Sequence, residues 1–435
     1  MEDKDYSTLV EKRLERIASI YEYLDNLIND LPIDVPENIK KRIFDKLFGD
    51  KNMQEIIINI KERRAPRFVL MGKTGAGKSS LINAMFGKYL AKASDIEFGT
   101  LKGEPYSYKF LGKTIFEVVD TRGVGDMSEG KYSSSDVLKD TINKFSPDAI
   151  LFLLKGDDRA FQDEEMKELK DSINCFDYII KETKVPIIVI VNQVDKIDPS
   201  DEIDPAKYPQ QKLDNINSKI SLLNSFFKQN EINIIDIIPT SSFVRWNCDP
   251  DEVAIEKWSE LKIIKDYRYN INKLLDVIEN NIDLKARLML MLYSRADKVV
   301  RYVSTQLCKA FTAVSYVIGL EPIPLADIFI LTPLQIILIM LIAFLSGREL
   351  NFKSASEFLV SSGINVGFAY GLREAARAII KLFIGPGELI SASLAAAGTY
   401  SIGKAAIAYY LQGISKDDLA EVIKQAKSEY KRKNL

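Results

Sequence analysis

"MGKTGAGKSS", residues 71–80, decides the fold of this chain. It follows a short apolar run and fits the spacing GxxxxGKS with Gly72, Gly77, Lys78 and Ser79. Glycines at these positions let backbone N–H groups turn inward around phosphate oxygens, and the start of the following helix adds its dipole. We expect Lys78 to reach the terminal phosphates and Ser79 to bind Mg²⁺. The segment therefore predicts a phosphate-binding loop between a strand and a helix.

The residues around this loop alternate short apolar runs with amphipathic segments, which is typical of βαβ units. The predicted strands are residues 67–71, 106–110, 114–119, 149–154, 186–191 and 232–238, and the two strands between 106 and 119 form an antiparallel hairpin at one edge. Helices are expected near 78–87, 135–145, 163–183, 207–229 and 267–283. The pattern predicts an α/β domain with a mostly parallel six-stranded sheet flanked by helices.

A candidate metal site follows the third predicted strand in "DTRG", residues 120–123. Asp120 is expected to hold a metal ion through water, and the Gly123 amide to lie near the γ-phosphate. Thr100 lies between the phosphate loop and Asp120, at a spacing suited to a switch threonine that completes the Mg²⁺ shell when the γ-phosphate is present. Ser94 is an alternative for that role. The predicted metal ligands are thus Ser79, Thr100 and Asp120.

Two further motifs are expected to contact the base of a nucleotide. "VNQVDK", after the fifth strand, supplies Asn192 and Asp195, and a carboxylate there can accept both N1–H and N2–H of guanine, which adenine does not offer. "IIPTSS", after the sixth strand, places a backbone N–H of Ser241 or Ser242 at guanine O6. Each motif alone is also ordinary turn chemistry. Their order behind a phosphate loop predicts guanine specificity.

With "GKTGAGKSSLINAMFG", "DTRG", "NQVD" and "PTSS" in this order, residues 65–283 resemble a Ras-like P-loop GTPase. The details are similar to Era-like bacterial GTPases and to the septin-like, AIG and interferon-inducible groups. The resemblance implies GTP or GDP as ligand, Mg²⁺ as cofactor, and catalytic roles for Lys78, Thr100, Arg122 and Gly123. The implied nucleotide contacts are Gly72, Thr74, Gly75, Ala76, Gly77, Lys78, Ser79, Ser80, Asn192, Gln193, Asp195, Ser241 and Ser242.

Three departures from the family pattern concern hydrolysis and affinity. Arg122 replaces a usual Pro, Gln193 replaces a usual Lys whose stem lies over the base, and Val124 stands where a Gln would orient the attacking water. Gln193 predicts weaker guanine affinity with unchanged base choice. Val124 predicts slow intrinsic hydrolysis, accelerated by a second G domain or a partner. Arg122 is either a transition-state charge or a solvated switch residue. Gly75 stands where the family's potassium-dependent members have Asn, which disfavours a potassium mechanism.

Composition narrows the function classes. The chain has 435 residues, a net charge of −2, no histidine and three cysteines without short spacing. The length predicts two or three domains. Interleaved charges disfavour nucleic-acid binding, and the missing histidines exclude His-based catalysis and an ordinary zinc site. The polar, acidic start "MEDKDYSTLV" is unlike a secretory signal, so we expect a cytoplasmic protein.

Outside the α/β domain, the sequence predicts helices. Residues 1–64 read as a helical arm, with apolar positions at three- and four-residue steps from Val10 to Leu31. Residues 284–435 read as an α-helical effector domain. Between Arg301 and Gly413 only 14 of 113 residues are charged, about 12%, against 28% for the whole chain. Two stretches, "GLEPIPLADIFILTPLQ" (319–335) and "IGPGELISASLAAAGTY" (384–400), resemble a poorly characterised helical domain that follows the G domain in a set of bacterial GTPases and is often suspected of membrane association. The resemblance covers about residues 295–415.

The apolar helices leave three alternatives open. Residues 328–347 carry no charge over twenty positions, a length that suggests a transmembrane helix, but Thr332 and Pro333 predict a helix start inside the stretch. The helices of 310–413 are therefore a buried bundle, a bundle that docks peripherally on the inner face of a membrane, or spanning helices. Gly, Ala and Ser are frequent in 358–372 and 389–413, where they permit close helix approach.

These observations support a switch protein that binds and hydrolyses GTP and whose helical domains respond to the bound nucleotide. We also expect it to form a homodimer through the G domain. Two rivals remain: a non-catalytic scaffold that binds GTP or GDP, and a dynamin-like membrane remodeller. The remodeller needs a long helical stalk, and the sequence shows no obvious one.

Overall fold

The structure is a computed structural model. It describes residues 62–72, 75–91, 105–110, 113–121, 144–156, 185–320, 330–351, 392–415 and 417–433, with scattered residues in 12–23, 41–59 and 355–358. By its internal contacts the chain divides into two compact units. One unit comprises Met1–Ser7 and Arg63–Arg295, and the other comprises Thr8–Glu62 and Ala296–Leu435.

The first unit is built on a six-stranded sheet in the order β2-β3-β1-β4-β5-β6. Its strands are β1 (Arg67–Met71), β2 (Tyr106–Phe110), β3 (Lys113–Thr121), β4 (Ala149–Lys155), β5 (Ile187–Asn192) and β6 (Asp236–Pro239). Only β2 runs antiparallel, and it pairs with β3. The other neighbours are parallel. The predicted sheet of six mostly parallel strands, with an antiparallel hairpin at its edge, is confirmed.

The core of this unit lies on the sheet. Val69, Val119, Ile150, Val189 and Ile237, from five adjacent strands, are each at most 2% exposed. Strands buried on both faces appear in a sequence as continuous apolar runs, which is why the runs located them. The described helices of the unit are α1 (Lys78–Phe86), α2 (Gln210–Gln229), α3 (Ile271–Asn281) and α4 (Leu284–Ser294). The helices predicted over 135–145 and 163–183 lie outside the described residues, apart from 144–145.

The sixth strand was predicted too early. It runs over Asp236–Pro239 and not over 232–238, because Ile232 belongs to the turn that caps the preceding helix, which ends at Gln229. The Ile232 N–H donates to the Phe227 carbonyl (2.9 Å), and Glu231 has a left-handed φ of 55°. This is a Schellman-type helix end, which places an apolar residue against the helix. Ile232 is accordingly 8% exposed.

A second, two-stranded sheet was missed. β7 (Val244–Trp246) and β8 (Ile263–Asp266) follow β6 in the chain and pair with each other in antiparallel orientation. The two strands have three and four residues and include charged, exposed positions. Their apolar runs are therefore too short to predict strands from the sequence. Arg268 follows this sheet and donates to the Ala84 carbonyl of α1 (2.8 Å), which links the insertion to the helix after the phosphate loop.

The second unit is helical. Its described helices are α5 (Ala296–Leu320), α6 (Thr332–Leu345), α7 (Ala392–Gln412) and α8 (Leu419–Lys433). α5 and α7 approach closely, because a Cβ on Gly403 would lie 2.3 Å from the sulfur of Cys308. The Thr399 hydroxyl donates to Ser315 (2.8 Å) and accepts from Gln335 (3.1 Å), so one buried polar chain joins three helices.

Residues of the N-terminal arm pack on these helices. Arg16 donates to the carbonyls of Phe344 (2.5 Å) and Arg348 (2.9 Å), and its guanidinium lies 4.8 Å from the Phe344 ring centre. Ile17 and Ile20 are buried. The structure thus groups residues 8–62 with the C-terminal helices, and it groups α4 with the sheet. The sequence instead expects a separate arm over 1–64 and a boundary after residue 283, which stay predictions.

Every residue of α6 is buried. Its 14 residues give a length of about 21 Å at about 1.5 Å per residue. Within the described ranges, no helix combines the length and the apolar character that crossing a bilayer requires.

Candidate functional site

The site begins at a tightly wound loop between β1 and α1. Gly72, Gly75 and Gly77 have φ values of 145°, 82° and 85°, which L side chains rarely adopt. A Cβ on Gly72 would lie 2.5 Å from the Leu153 carbonyl oxygen, so the loop is also closely packed against β4. The glycines of the motif are therefore required by the backbone path. The Lys78 ammonium donates to the Gly72 carbonyl across the loop (2.8 Å).

The loop brings the predicted phosphate contacts together. Gly72, Gly75, Ala76, Gly77, Lys78, Ser79 and Ser80 lie on it or on the first turn of α1. Gly77 caps the helix in a left-handed conformation, and no side chain caps the first turn. The N–H groups of a first turn lack partners within the helix and favour an anion. Thr74 lies outside the described residues.

Asn192, the last residue of β5, fastens the phosphate loop to the loops that follow β5 and β6. It is fully buried, and its Nδ2 donates to the Ala76 carbonyl (3.0 Å). Its Oδ1 accepts from the hydroxyls of Thr240 (3.1 Å) and Ser242 (2.9 Å). A Cβ on Gly77 would lie 2.5 Å from Nδ2. Asn192 therefore holds the two predicted binding segments in register.

Gln193 makes a second link to the same loop. It has a left-handed φ of 64°, and its Nε2 donates to the Gly75 carbonyl (2.8 Å). Its Oε1 accepts from the Lys196 ammonium (2.9 Å). Gln193 thus connects the phosphate loop to the short 3₁₀ turn Val194–Lys196, although it lacks the long aliphatic stem of a lysine.

Asp195 lies on that 3₁₀ turn and is 9% exposed. The turn is held by a buried lysine, Lys212. Lys212 of α2 is fully buried and donates to the carbonyls of Asp195 (2.6 Å), Pro199 (3.1 Å) and Glu202 (2.8 Å). Burial lowers the pKa of the Lys212 ammonium, and the nearby Asp195 charge opposes that shift. Lys212 was not predicted from the sequence as a site residue. A signal existed, since it precedes the buried Ile216 by one helical turn.

The segment after β6 distinguishes the two serine candidates. The Ser241 N–H donates to the Tyr269 carbonyl (3.2 Å), so this amide already has a partner within the fold. The Ser242 hydroxyl is bound to Asn192. Of the two amides proposed for guanine O6, Ser242 is therefore the better placed candidate.

A cleft of about 300 Å³ lies over these segments. Besides predicted residues from both loops, it is lined by Asn83, Tyr89, Phe243, Trp246 and Asp251. Phe243 stacks on Tyr267, and Tyr89 contacts Trp246 edge to face. Aromatic side chains that line the same cleft as Asp195 suit a flat aromatic ring with a polar edge. These aromatic residues were not predicted from the sequence, because they lie in or next to the unpredicted β7–β8 insertion and in the segment that follows α1.

The predicted metal ligands are described only in part. Asp120 pairs in register with Leu70, so β3 delivers it beside the end of β1, next to the phosphate loop. Ser79 lies on the first turn of α1 and lines the cleft. A hydroxyl and a carboxylate are suitable donors for Mg²⁺. Thr100, Arg122, Gly123, Val124 and the alternative Ser94 lie outside the described residues. Within the described ranges, no three Asp, Glu or Cys side chains cluster as a metal site.

Part of the chain is similar in sequence to known GTPases. Residues 67–193 match the model of a family described as 50S ribosome-binding GTPase. The chain is 28% identical over 207 residues to the uncharacterized protein YfjP of Escherichia coli, covering 47% of this chain and 62% of YfjP. It is 25% identical over 189 residues to the tRNA modification GTPase MnmE of Blochmanniella pennsylvanica, covering 42% and 39%.

A solved structure of Aquifex aeolicus Era bound to GDP·AlF₄⁻ is 19% identical, with a TM-score of 0.29, over 56% of this chain and 68% of that one. The chain spans less than two thirds of the length of its curated relatives YfjP and MnmE.

Proposed function

We propose, from the premise that this chain carries a G domain of the P-loop GTPase class, that the protein binds GTP and GDP and hydrolyses GTP to GDP and phosphate. One observation supports this most strongly. Asn192 joins the phosphate loop at Ala76 to the hydroxyls of Thr240 and Ser242. The segments predicted to bind the phosphates and the base therefore meet at one cleft, and Asp195 is among its lining residues.

Base choice would rest on Asp195. Its carboxylate accepts N1–H and N2–H of guanine, and an adenine in the same place would leave it facing an acceptor. A buried carboxylate without its partner is costly, so the discrimination is large. The Ser242 amide would donate to O6. Phe243 and Tyr89 supply apolar surface for the ring, which offsets the short stem of Gln193.

Phosphate chemistry would rest on the loop and its surroundings. The amides of Gly75 to Ser79 and the Lys78 ammonium neutralise the charge that develops on the phosphate oxygens. Mg²⁺ supplies further charge neutralisation when bound, held by Ser79, Asp120 and Thr100. The Gly123 amide and Thr100 would contact the γ-phosphate, and this contact would be lost in the GDP state. We propose that the helical domains respond to this difference.

Orientation of the attacking water calls for a group other than Val124. We propose that a second G domain, or a partner protein, completes the site, and that Arg122 acts as a charge in cis or in trans. The proposed partner is a second copy of this chain. Peripheral membrane contact through residues 310–413 is a further proposal that liposome flotation with and without a GTP analogue tests directly.

Single-turnover hydrolysis tests the proposal. GTP is mixed with excess protein and Mg²⁺ over two decades of protein concentration, and GDP formation is followed. We expect a rate that rises with protein concentration and is abolished by Lys78→Ala. No GDP formation at any concentration, despite tight GTP binding, would favour the non-catalytic scaffold. A rate independent of concentration would contradict dimer stimulation, and an unchanged Arg122→Ala variant would remove the arginine from the mechanism.

A further inference from the structure

Lys155, the last residue of β4, places a positive charge against the phosphate loop. Its backbone pairs in register with Asn192 at the end of β5, so the side chain starts from the same sheet edge as the loop. A Cβ built on Gly75 would lie 3.3 Å from the Lys155 Nζ and 3.5 Å from its Cε. The ammonium therefore occupies the space that a side chain at position 75 would fill.

The Lys155 ammonium differs from those of the other lysines around the site in its hydrogen-bond partners. Lys78 donates to the Gly72 carbonyl, Lys196 to Gln193, and Lys212 to three carbonyls. Among the residues that the structure describes, the Lys155 ammonium has neither a hydrogen-bond acceptor nor a carboxylate partner. An ammonium beside inward-facing amides adds positive potential at the place where the loop is built to receive phosphate.

The backbone at Lys155 is fixed by hydrogen bonds from neighbouring elements. Lys219 of α2 donates to the carbonyls of Lys155 and Gly156, both at 2.9 Å. The Gly156 N–H donates to the Asn192 carbonyl (2.6 Å), and a Cβ on Gly156 would lie 2.8 Å from that same oxygen. The end of β4 is thus fixed by α2 and β5, which limits the positions that the Lys155 ammonium can reach.

We propose that Lys155 is a second phosphate-binding cation, which contacts the polyphosphate of the bound nucleotide from the Gly75 side of the loop. Lys78 reaches the same phosphates from the start of α1. Gly75 is then required for two reasons, its positive φ and the room it leaves for the ammonium. The inference rests on the proposed nucleotide binding and adds a ligand group that the phosphate-loop motif does not contain.

The test compares ligands that share a base and differ in phosphate number. Guanosine, GDP and guanylyl imidodiphosphate are titrated calorimetrically, with Mg²⁺, into the wild-type chain and into Lys155→Met, Lys155→Arg and Lys228→Met. Lys228 lies on the exposed face of α2 and is the matched control. For Lys155→Met we expect guanosine affinity within twofold of wild type and a loss of about tenfold or more for GDP and for the analogue. Lys155→Arg, which keeps the charge, should retain most of that affinity.

Equal affinities of Lys155→Met and wild type for GDP and the analogue would overturn the inference, while wild-type binding of GDP would leave the proposed function intact. A loss of guanosine affinity as large as that of GDP would also overturn it, because it would show a general disturbance of the cleft. An arginine variant as weak as the methionine variant would contradict a charge contact. Failure of the wild-type chain to bind GDP would instead reject the proposed function itself.

Discussion

The side-chain amide of Asn192 donates to the carbonyl of Ala76 across 3.0 Å, and both residues are buried. One strand end thereby holds a loop that lies 116 positions earlier in the chain. Because the same side chain accepts from Thr240 and Ser242, the geometry of the whole cleft depends on it.

Substitution of this residue tests that dependence. Asn192→Ala leaves the Ala76 carbonyl and two hydroxyls without their partner, and each lost hydrogen bond at a buried group costs about 1–3 kcal/mol. We expect GDP affinity to fall by about thirtyfold, or about 2 kcal/mol, measured by calorimetry. Asn217→Ala, on the exposed face of α2, is the control. Unchanged GDP affinity in a folded Asn192→Ala variant would show that the two loops hold their positions without it.

The buried Lys212 should matter for nucleotide binding without contacting the nucleotide. Lys212→Met keeps the aliphatic stem but removes the donor to the carbonyls of Asp195, Pro199 and Glu202. We expect both a lower melting temperature and a GDP affinity about tenfold weaker, because Asp195 loses its support. Lys228→Met should change neither. A variant that melts earlier but binds GDP with wild-type affinity would confine Lys212 to a stability role.

Tryptophan fluorescence should report nucleotide binding. The chain contains two tryptophans, of which Trp246 lines the cleft and Trp258 contacts Tyr89 edge to face, 4.9 Å between ring centres. A purine entering the cleft changes the surroundings of Trp246 directly. We expect a saturable intensity change with GDP that disappears in Trp246→Phe and persists in Trp258→Phe. The reverse pattern would place the base elsewhere.

The cysteines of the two units should differ sharply in reactivity. Burial raises the pKa of the Cys308 thiol to about 12, whereas Cys248 is exposed. The thiolate is the reactive form, so a raised pKa removes reactivity at neutral pH and restores it only as pH rises toward that value. In a Cys175→Ser background we expect a maleimide to label one thiol in the native protein and two after denaturation. Native labelling in a Cys175→Ser/Cys248→Ser variant would mean that the α5–α7 contact at Gly403 opens.

The sequence predicted those features that depend on local pattern. Continuous apolar runs located the parallel strands, and the glycine spacing located the phosphate loop, because both patterns follow from backbone geometry. The sixth strand was predicted too early because Ile232 belongs to the cap of the helix that ends at Gln229 and does not begin a strand. The spacing from Ile216 indicates that Lys212 is buried, but nothing local reveals that Lys212 supports the Asp195 turn or that Lys155 lies against the phosphate loop. Both roles arise from packing between α2, β4 and the loops.

Motif order identified Asn192 as a site residue but not its function. A turn residue and a fastening residue look alike in sequence, and only the contacts to Ala76, Thr240 and Ser242 separate them. The aromatic wall of the cleft was missed for a related reason. Trp246 belongs to a short strand, and Phe243 immediately precedes that strand, whose pairing partner lies about twenty residues further along the chain.

Competition between GDP and ATP tests the central claim most directly. The purified chain, with Mg²⁺, is titrated calorimetrically with GDP, first alone and then with ATP in about a hundredfold excess. We predict one GDP bound per chain with an affinity that ATP does not change, because Asp195 pairs with guanine and not with adenine. No heat with GDP, or displacement of GDP by ATP at comparable concentration, would contradict the account.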